Sequence, residues 1–236
     1  MDIPPAIRYL SLMPRTARGA SGGIVYHVLN RGNGRMRIFR KPEDYQAFCT
    51  LLVEGRRRAD VEVFGFCLMP NHWHLVLRPR RDGDLAAYLS WVSNTHVKRY
   101  RAHYPHTSGH LYQGRFKSFP VEEDSYLLTL LRYVESNPIR CESPLVKQAQ
   151  DWQWSSLGCT TKLSADLLSP WPLDRPRNWR ALVNEEIAEN ERERIKVSLD
   201  RGRPLGAPAW IEATSRRLGL EFTLRPRGRP KLPEKP

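Results

Sequence analysis

The period of the apolar positions changes several times along this chain, and each change marks an element. IVYHVLN (24–30) is a β-branched and aromatic run of strand type, and the glycine-containing RGNGR after it reads as a turn. In KPEDYQAFCTLLVEGRRRAD, Pro42 suits a first helical position and acidic residues fill the first turn, while Tyr45, Phe48, Leu51 and Leu52 form an apolar stripe. A helix is predicted there. VEVFGFCLM (61–69) predicts a second strand, Pro70-Asn71 a tight turn, and HWHLVLR (72–78) a third strand. Asp84 is expected to cap a long helix through AAYLSWVSNTHVKRYRAHY, with Leu85, Leu89 and Val92 on one side. GHLYQGRFKSF (109–119) predicts a fourth, bent strand. EEDSYLLTLLRYVESNP predicts a helix ending near Asn137, because Pro138 disfavours the α conformation in the residue before it.

The order β-α-β-β-α-β plus one more helix predicts an α+β fold. It is the ferredoxin-like split β-α-β arrangement, an antiparallel sheet with helices on one face. Beyond it, residues 151–179 hold four of the seven Trp and several Pro, and predict an irregular segment packing its aromatics on the body. NEEIAENERERIK and WIEATSRRLGL then predict a small helical basic C-terminal extension. The expected division is a basic N-terminal arm (1–20), a main domain (21–158), a Trp/Pro-rich connection (159–180), a helical extension (181–224) and a basic tail (225–236). RPRGRPKLPEKP in that tail is too rich in Pro, Gly and charge to be ordered alone.

Composition narrows the class. With 236 residues and 40% hydrophobic positions the chain can bury a core, and no apolar run approaches the ~20 residues of a membrane helix. No apolar segment of signal-peptide length opens the sequence, so a cytoplasmic protein is expected. The cysteines at 49, 67, 141 and 159 form no CxxC pair, which argues for reduced thiols rather than a zinc ribbon. The formal net charge is +13 and is uneven. Residues 1–41 carry eight Lys/Arg and one Asp, residues 201–236 nine Lys/Arg and three Glu, and the stretch between is balanced. Basic ends gain affinity for nucleic acid by releasing counterions from phosphates. A solubilising charge excess and attraction to anionic lipid are the alternatives, and no amphipathic anchor accompanies the ends.

The chemistry starts at MPNHWHLVL (69–77). Side chains alternate on a strand, so His72 and His74 share one face while Trp73, Leu75 and Leu77 supply the core from the other. Two imidazoles about 7 Å apart can converge on one ion. Two plainer readings stay open for an isolated pair: polar residues on a solvent face, or a hydrogen-bonded core histidine. LRYVESNP supplies company, because Tyr133 and Asn137 are four residues apart on one helical face. The amide oxygen of Asn137 is a candidate third ligand, and imidazole with oxygen suits Mg²⁺ or Mn²⁺. A phenol with a pKa of ~10 is a poor nucleophile at neutral pH, and a phosphodiester repels it; a divalent ion on a non-bridging oxygen eases both problems. Tyr126 lies two turns before Tyr133, but Leu130 stands where a ligand would be needed, so Tyr126 reads as a packing or DNA-contacting residue.

These residues resemble a known family. IVYHVLNRGNGR, IFRKPEDYQAF, FCLMPNHWHLVL, LYQGRFKS, YLLTLLRYVESNPIR and WQWSSL occur in the order seen in REP-associated tyrosine transposases, over roughly residues 13–158. That group belongs to the HUH single-strand transposases with one catalytic tyrosine. The resemblance implies His72, His74 and Asn137 as metal ligands and Tyr133 as nucleophile. Asn137 stands where better-known insertion-sequence relatives carry glutamine. It further implies cleavage of single-stranded hairpin DNA through a 5′-phosphotyrosine, then strand transfer, with a monomer favoured over a dimer and no small-molecule cofactor. The family-like start MPRTAR begins at Met13, so residues 1–12 read as an over-long start or a dispensable tail. Arg15, Arg18, Arg31, Arg115, Lys117, Arg227 and Arg229 are the candidate DNA contacts. RPRGRPK resembles an AT-hook, with an unspecific electrostatic tether as the alternative, and the helices at 184–220 resemble a small helix-turn-helix unit with Arg216 and Arg217 towards DNA. Two other functions are weighed: a non-catalytic hairpin-binding regulator, which has no need of a tyrosine one turn from a ligand, and a replication-initiator or relaxase-type nickase.

Overall fold

Strands buried on both faces need two covers, and the chain supplies both. A computed structural model describes residues 20–159 and 166–225. Strands β1 (Val25–Arg31), β2 (Val61–Met69), β3 (His72–Pro79) and β4 (Lys117–Val121) form an antiparallel sheet in the order β2-β3-β1-β4. β1 and β2 run the same way with β3 inserted between them, which is the split β-α-β arrangement expected from the element order.

Helices α1 (Pro42–Arg56) and α2 (Asp84–His103) cover one face. Tyr45, Phe48, Leu51 and Leu52 from α1 and Leu85, Tyr88, Leu89 and Val92 from α2 share a core with Val28, Phe66, Trp73, Leu75 and Leu77. Trp73 is fully buried and its Nε1–H donates to Tyr112 Oη at 3.0 Å, so the indole brings no unpaired donor into the core. Asp84 lies inside α2 rather than capping it; Gly83, at φ 87°, holds the cap position, and Asp84 accepts from the backbone N–H of Arg81.

The expected arrangement had helices on one face, and α1 and α2 keep to it. The additional helix, α3 (Ser125–Arg140), covers the opposite face. Leu127, Leu130, Leu131 and Val134 pack there against Val25, Phe64, Cys67, Val76, Phe119 and Val121. Gly65 permits the close approach, since a Cβ on it would come within 2.6 Å of Leu131 Cδ2. α4 (Trp179–Asn184), α5 (Glu189–Arg201) and α6 (Pro208–Leu218) follow. Trp179, Val183, Ile195 and Leu205 enter the same core as α3. Of the basic residues in the two end stretches, Arg31 closes β1 and Arg201 closes α5.

The fourth strand begins later than expected. Tyr112 makes one bridge to Gly32, Gln113 donates to Arg31 O, and regular pairing with β1 starts only at Lys117. Gly114 sits in the stretch that leaves the ladder. Pro120 is tolerated because β4 is a terminal strand of the sheet, and its carbonyl accepts from Leu205 N–H at 2.9 Å. The Trp-rich segment guards the other terminal strand: Trp154 O accepts from Leu68 N–H, Ser156 N–H donates to Phe66 O, and Trp152 and Trp171 donate their indole N–H to Leu68 O and Phe64 O. No helix among the described residues is long and apolar enough to cross a membrane.

Candidate active site

Strand pairing fixes the surroundings of the histidine couple. His72 is opposite Arg31 on β1 and Met69 on β2, and His74 is opposite Leu29 and Cys67. Both imidazoles point to the α3 face, with ring centroids 5.0 Å apart at 80°. The Nδ1–H of His72 donates to Asn71 Oδ1 at 2.6 Å, which leaves its Nε2 with the lone pair. His74 is 2% exposed, and its Nδ1 stands 2.9 Å from Nε2 of His27. Burial, then the nearby Arg31 charge, pushes the His72 pKa down to about 4 against a hydrogen bond with the Asn137 side chain that raises it. Burial pushes His74 well below its ordinary range, with the charges of His72, His27 and Arg31 adding to the effect. Both rings are therefore neutral at neutral pH, the form in which imidazole ligates a metal.

α3 delivers the other two groups. Asp124 caps it by accepting from Tyr126 N–H at 2.8 Å. The ring of Tyr133 meets that of His74 edge-on, at 6.1 Å between centroids and 86°. Burial raises the Tyr133 pKa above its ordinary value, and the charges of Arg31 and Arg192 pull it back down. The helix does not stop at Asn137; it carries Pro138 inside and ends at Arg140. Proline has no N–H to give the carbonyl four residues earlier, Val134 O. Asn137 answers this locally, since its Nδ2 donates to Tyr133 O at 2.9 Å and to Val134 O at 3.3 Å. With the amide nitrogen tied to the helix, Oδ1 is the end left for other partners.

A clasp that the sequence did not reveal holds α3 in place. Glu135, 1% exposed, accepts from Ser156 Oγ–H and from Trp179 Nε1–H, each at 2.6 Å. Burial raises its pKa, and the two donors oppose that shift. Arg132 donates to Leu182 O and Glu186 O, and Arg140 to Glu185 O. The C-terminal half of α3, from Arg132 to Arg140, is thus fastened to both the Trp-rich segment and the start of the extension.

Three of the expected DNA contacts come together. Arg31, Arg115 and Lys117 line a cavity of about 310 Å³ whose wall includes Leu29 and Arg31, the β1 partners of His74 and His72, and they are joined there by Lys196 from α5 and by Asp200. Arg115 and Lys117 are exposed, and Arg31 is half-buried with its charge felt by His72, His74 and Tyr133. Arg15, Arg18, Arg227 and Arg229 lie outside the described residues. Arg216 and Arg217 are exposed on α6. Tyr126 is half-buried against the α3-side core and lines a separate hollow under α5 and α6. His27 and Lys196 were missed. The alternation of β1 carried a signal for His27, which shares a face with Val25, Leu29 and Arg31; nothing local marked Lys196, whose place is set by packing of the extension.

Two neutral imidazoles and a directed amide oxygen make a small donor set that fits one divalent ion, with positions left for phosphate or water. Among the described residues no group of three or more His, Cys, Asp or Glu is placed to hold a metal ion.

A search of curated proteins gives no match. Among solved structures, one described as the structure of the REP-associated tyrosine transposase bound to a REP hairpin is similar at TM-score 0.51 and 18% identity, covering 70% of this chain and 93% of that one. A transposase candidate from Deinococcus radiodurans, solved at 1.90 Å, is similar at TM-score 0.37 and 17% identity, covering 52% of this chain and 96% of that one. The model of the family "Transposase IS200 like" matches residues 20–137, from the start of the sheet to the asparagine on the tyrosine helix. That match takes in the sheet, the split β-α-β helices and all four residues gathered at the site, and the chain belongs to the IS200-like transposase family.

Proposed function

We propose that this protein is a metal-dependent single-stranded DNA endonuclease and strand transferase that acts on hairpin DNA through a 5′-phosphotyrosine, as a REP-associated tyrosine transposase does. The observation that carries the reading is the meeting of Tyr133 with His74 across the sheet–helix boundary, with Asn137 one turn on and within hydrogen-bonding reach of His72. His72, His74 and Asn137 would hold Mg²⁺ or Mn²⁺. When bound, the ion withdraws charge from a non-bridging phosphate oxygen and fixes the phosphate for in-line attack.

The protein's own groups do the rest. Tyr133 Oη gives up its proton to water and attacks phosphorus, the P–O3′ bond breaks, and the departing 3′ oxygen takes a proton from water to become a hydroxyl. The 5′ end stays on the tyrosine, so bond energy is kept for a second attack by another 3′-hydroxyl, which releases the phenol. Arg31 favours the ionised phenol, the form that attacks. Arg115, Lys117 and Lys196 would guide backbone phosphates along the adjoining cavity. The structure of similar fold was solved with a REP hairpin, and we extend a folded hairpin of this kind to the present chain as substrate. The tyrosine helix rests on the same chain's sheet and is clasped by the same chain's residues 179–186, and a monomer acting in cis is the reading proposed.

The test is incubation with labelled single-stranded hairpins and Mg²⁺ or Mn²⁺, followed by denaturing gels. Wild-type protein becomes covalently attached to the 5′ fragment, while Tyr133→Phe forms no adduct and keeps its hairpin affinity. Attachment by Tyr133→Phe would remove Tyr133 as the nucleophile, and binding without cleavage of any hairpin would favour a non-catalytic regulator.

A further inference from the structure

We propose that His27, which no part of the reading above employs, is a positioning residue that fixes His74 in its metal-ligating form; this rests on His72 and His74 being the metal ligands. His27 is on the neighbouring strand β1, 1% exposed, between two rings. It stacks on His74 with centroids 5.1 Å apart at 27°, and Phe119 backs it at 5.0 Å. Its Nε2 lies 2.9 Å from His74 Nδ1.

A neutral imidazole carries one N–H and one lone pair. The short contact therefore has two possible settings. In one, His27 donates to His74, which puts the proton of His74 on Nε2 and closes that nitrogen to a metal. In the other, His74 Nδ1–H donates to His27 Nε2, and His74 Nε2 presents its lone pair to the site. Only the second setting is compatible with ligation, and it needs an acceptor at the place where His27 stands. Asn71 serves His72 in the same way on the other side of the pair. Outer partners of this kind orient the ring and set which nitrogen is free.

The ligating setting has a cost that marks His27 as more than filler. It puts the second proton of the pair on His27 Nδ1, which is buried and has no hydrogen-bond partner among the described residues. Orphaned buried N–H groups are rare because nothing repays their lost hydration. An apolar ring would fill the same space between His74 and Phe119 without that cost. The polar nitrogen facing His74 is what an apolar ring would not provide.

The experiment measures metal binding rather than activity. Mn²⁺ is titrated into metal-free protein and free Mn²⁺ is read by electron paramagnetic resonance, with circular dichroism reporting the fold. His27→Phe keeps the stacked ring but removes the acceptor, and is expected to weaken Mn²⁺ binding about 10- to 100-fold, the usual effect of losing an outer partner. His27→Gln, whose amide oxygen reaches the same point, recovers most of that loss. Nitrogen-15 spectra of Mg²⁺-loaded wild-type protein are expected to show His74 protonated on Nδ1. A folded His27→Phe protein with wild-type affinity overturns the proposal, as does a His74 proton on Nε2 in the loaded protein, a readout that needs no variant. His74→Ala separates the two levels: wild-type affinity in that variant overturns the ligand assignment itself, and the proposal with it.

Discussion

Arg31 shows how one side chain can act on several groups in opposite senses. It lies opposite His72, and its charge lowers the pKa of His72, His74 and Tyr133 alike. For the imidazoles this is repulsion of any added positive charge, a bound cation included. For the phenol it is stabilisation of the ionised form. Arg31→Ala should therefore tighten Mn²⁺ binding, by about three- to tenfold in a partly screened site. The same change should slow covalent adduct formation at pH 7 by roughly 10- to 100-fold, the range for losing a cation at a reacting phosphate. Mn²⁺ titration and single-turnover gels measure the two separately. A variant that loses both would assign Arg31 to the fold instead.

Helix α3 works as an element because its irregularities support one another. Pro138 deprives Val134 O of its backbone donor, and Asn137 Nδ2 takes that place. Pro138→Ala restores a competing N–H, loosens the amide and should weaken Mn²⁺ binding by about three- to tenfold, while helix stability holds or rises because proline costs about 3 kcal/mol in a helix interior. Metal titration beside thermal unfolding tests the two directions. Glu135, two residues after the tyrosine, fastens the helix by accepting from Ser156 and Trp179. Glu135→Ala leaves the buried Trp179 Nε1–H without its acceptor, while the Ser156 hydroxyl keeps Phe66 O at 3.3 Å, and should cost about 1–3 kcal/mol, read from urea unfolding. A loss below about 1 kcal/mol would mean that water reaches that donor readily.

At the scale of the whole molecule, buried neutral histidines tie the fold to pH. His27 and His96 are pushed down to about 3 and His72 to about 4, in each case chiefly by burial, and His74 falls well below its usual range. Once unfolded, each takes up a proton below about pH 6.5. The unfolded chain thus binds more protons than the native one as pH drops from about 6.5 towards 4, and stability falls over that window. Glu135, with its pKa raised, works the other way but is one group against four. Urea unfolding of metal-free protein between pH 7 and pH 4.5 is expected to lose several kcal/mol, on the order of what linkage gives for such groups. A flat profile would show that these rings gain protons in the native state at little cost.

The sequence by itself determined the local chemistry and most of the elements. Period-two alternation put His72 and His74 on one face and Trp73 and Leu75 on the other, and the four-residue step put Tyr133 beside Asn137. Those relations depend only on backbone geometry within one element, so the residue order carries them. Pro138 misled as a helix stop because the compensating bond is made by a side chain, and Gln113–Phe116 misled as strand because pairing depends on the partner rather than on the segment's own propensity. Tertiary structure alone decided that α3 covers the face opposite α1 and α2, that Glu135 meets Trp179, that Lys196 joins Arg31, and that His27 stacks on His74. Each of these joins residues from separate elements, and such distances are set by how whole faces bury apolar area against one another.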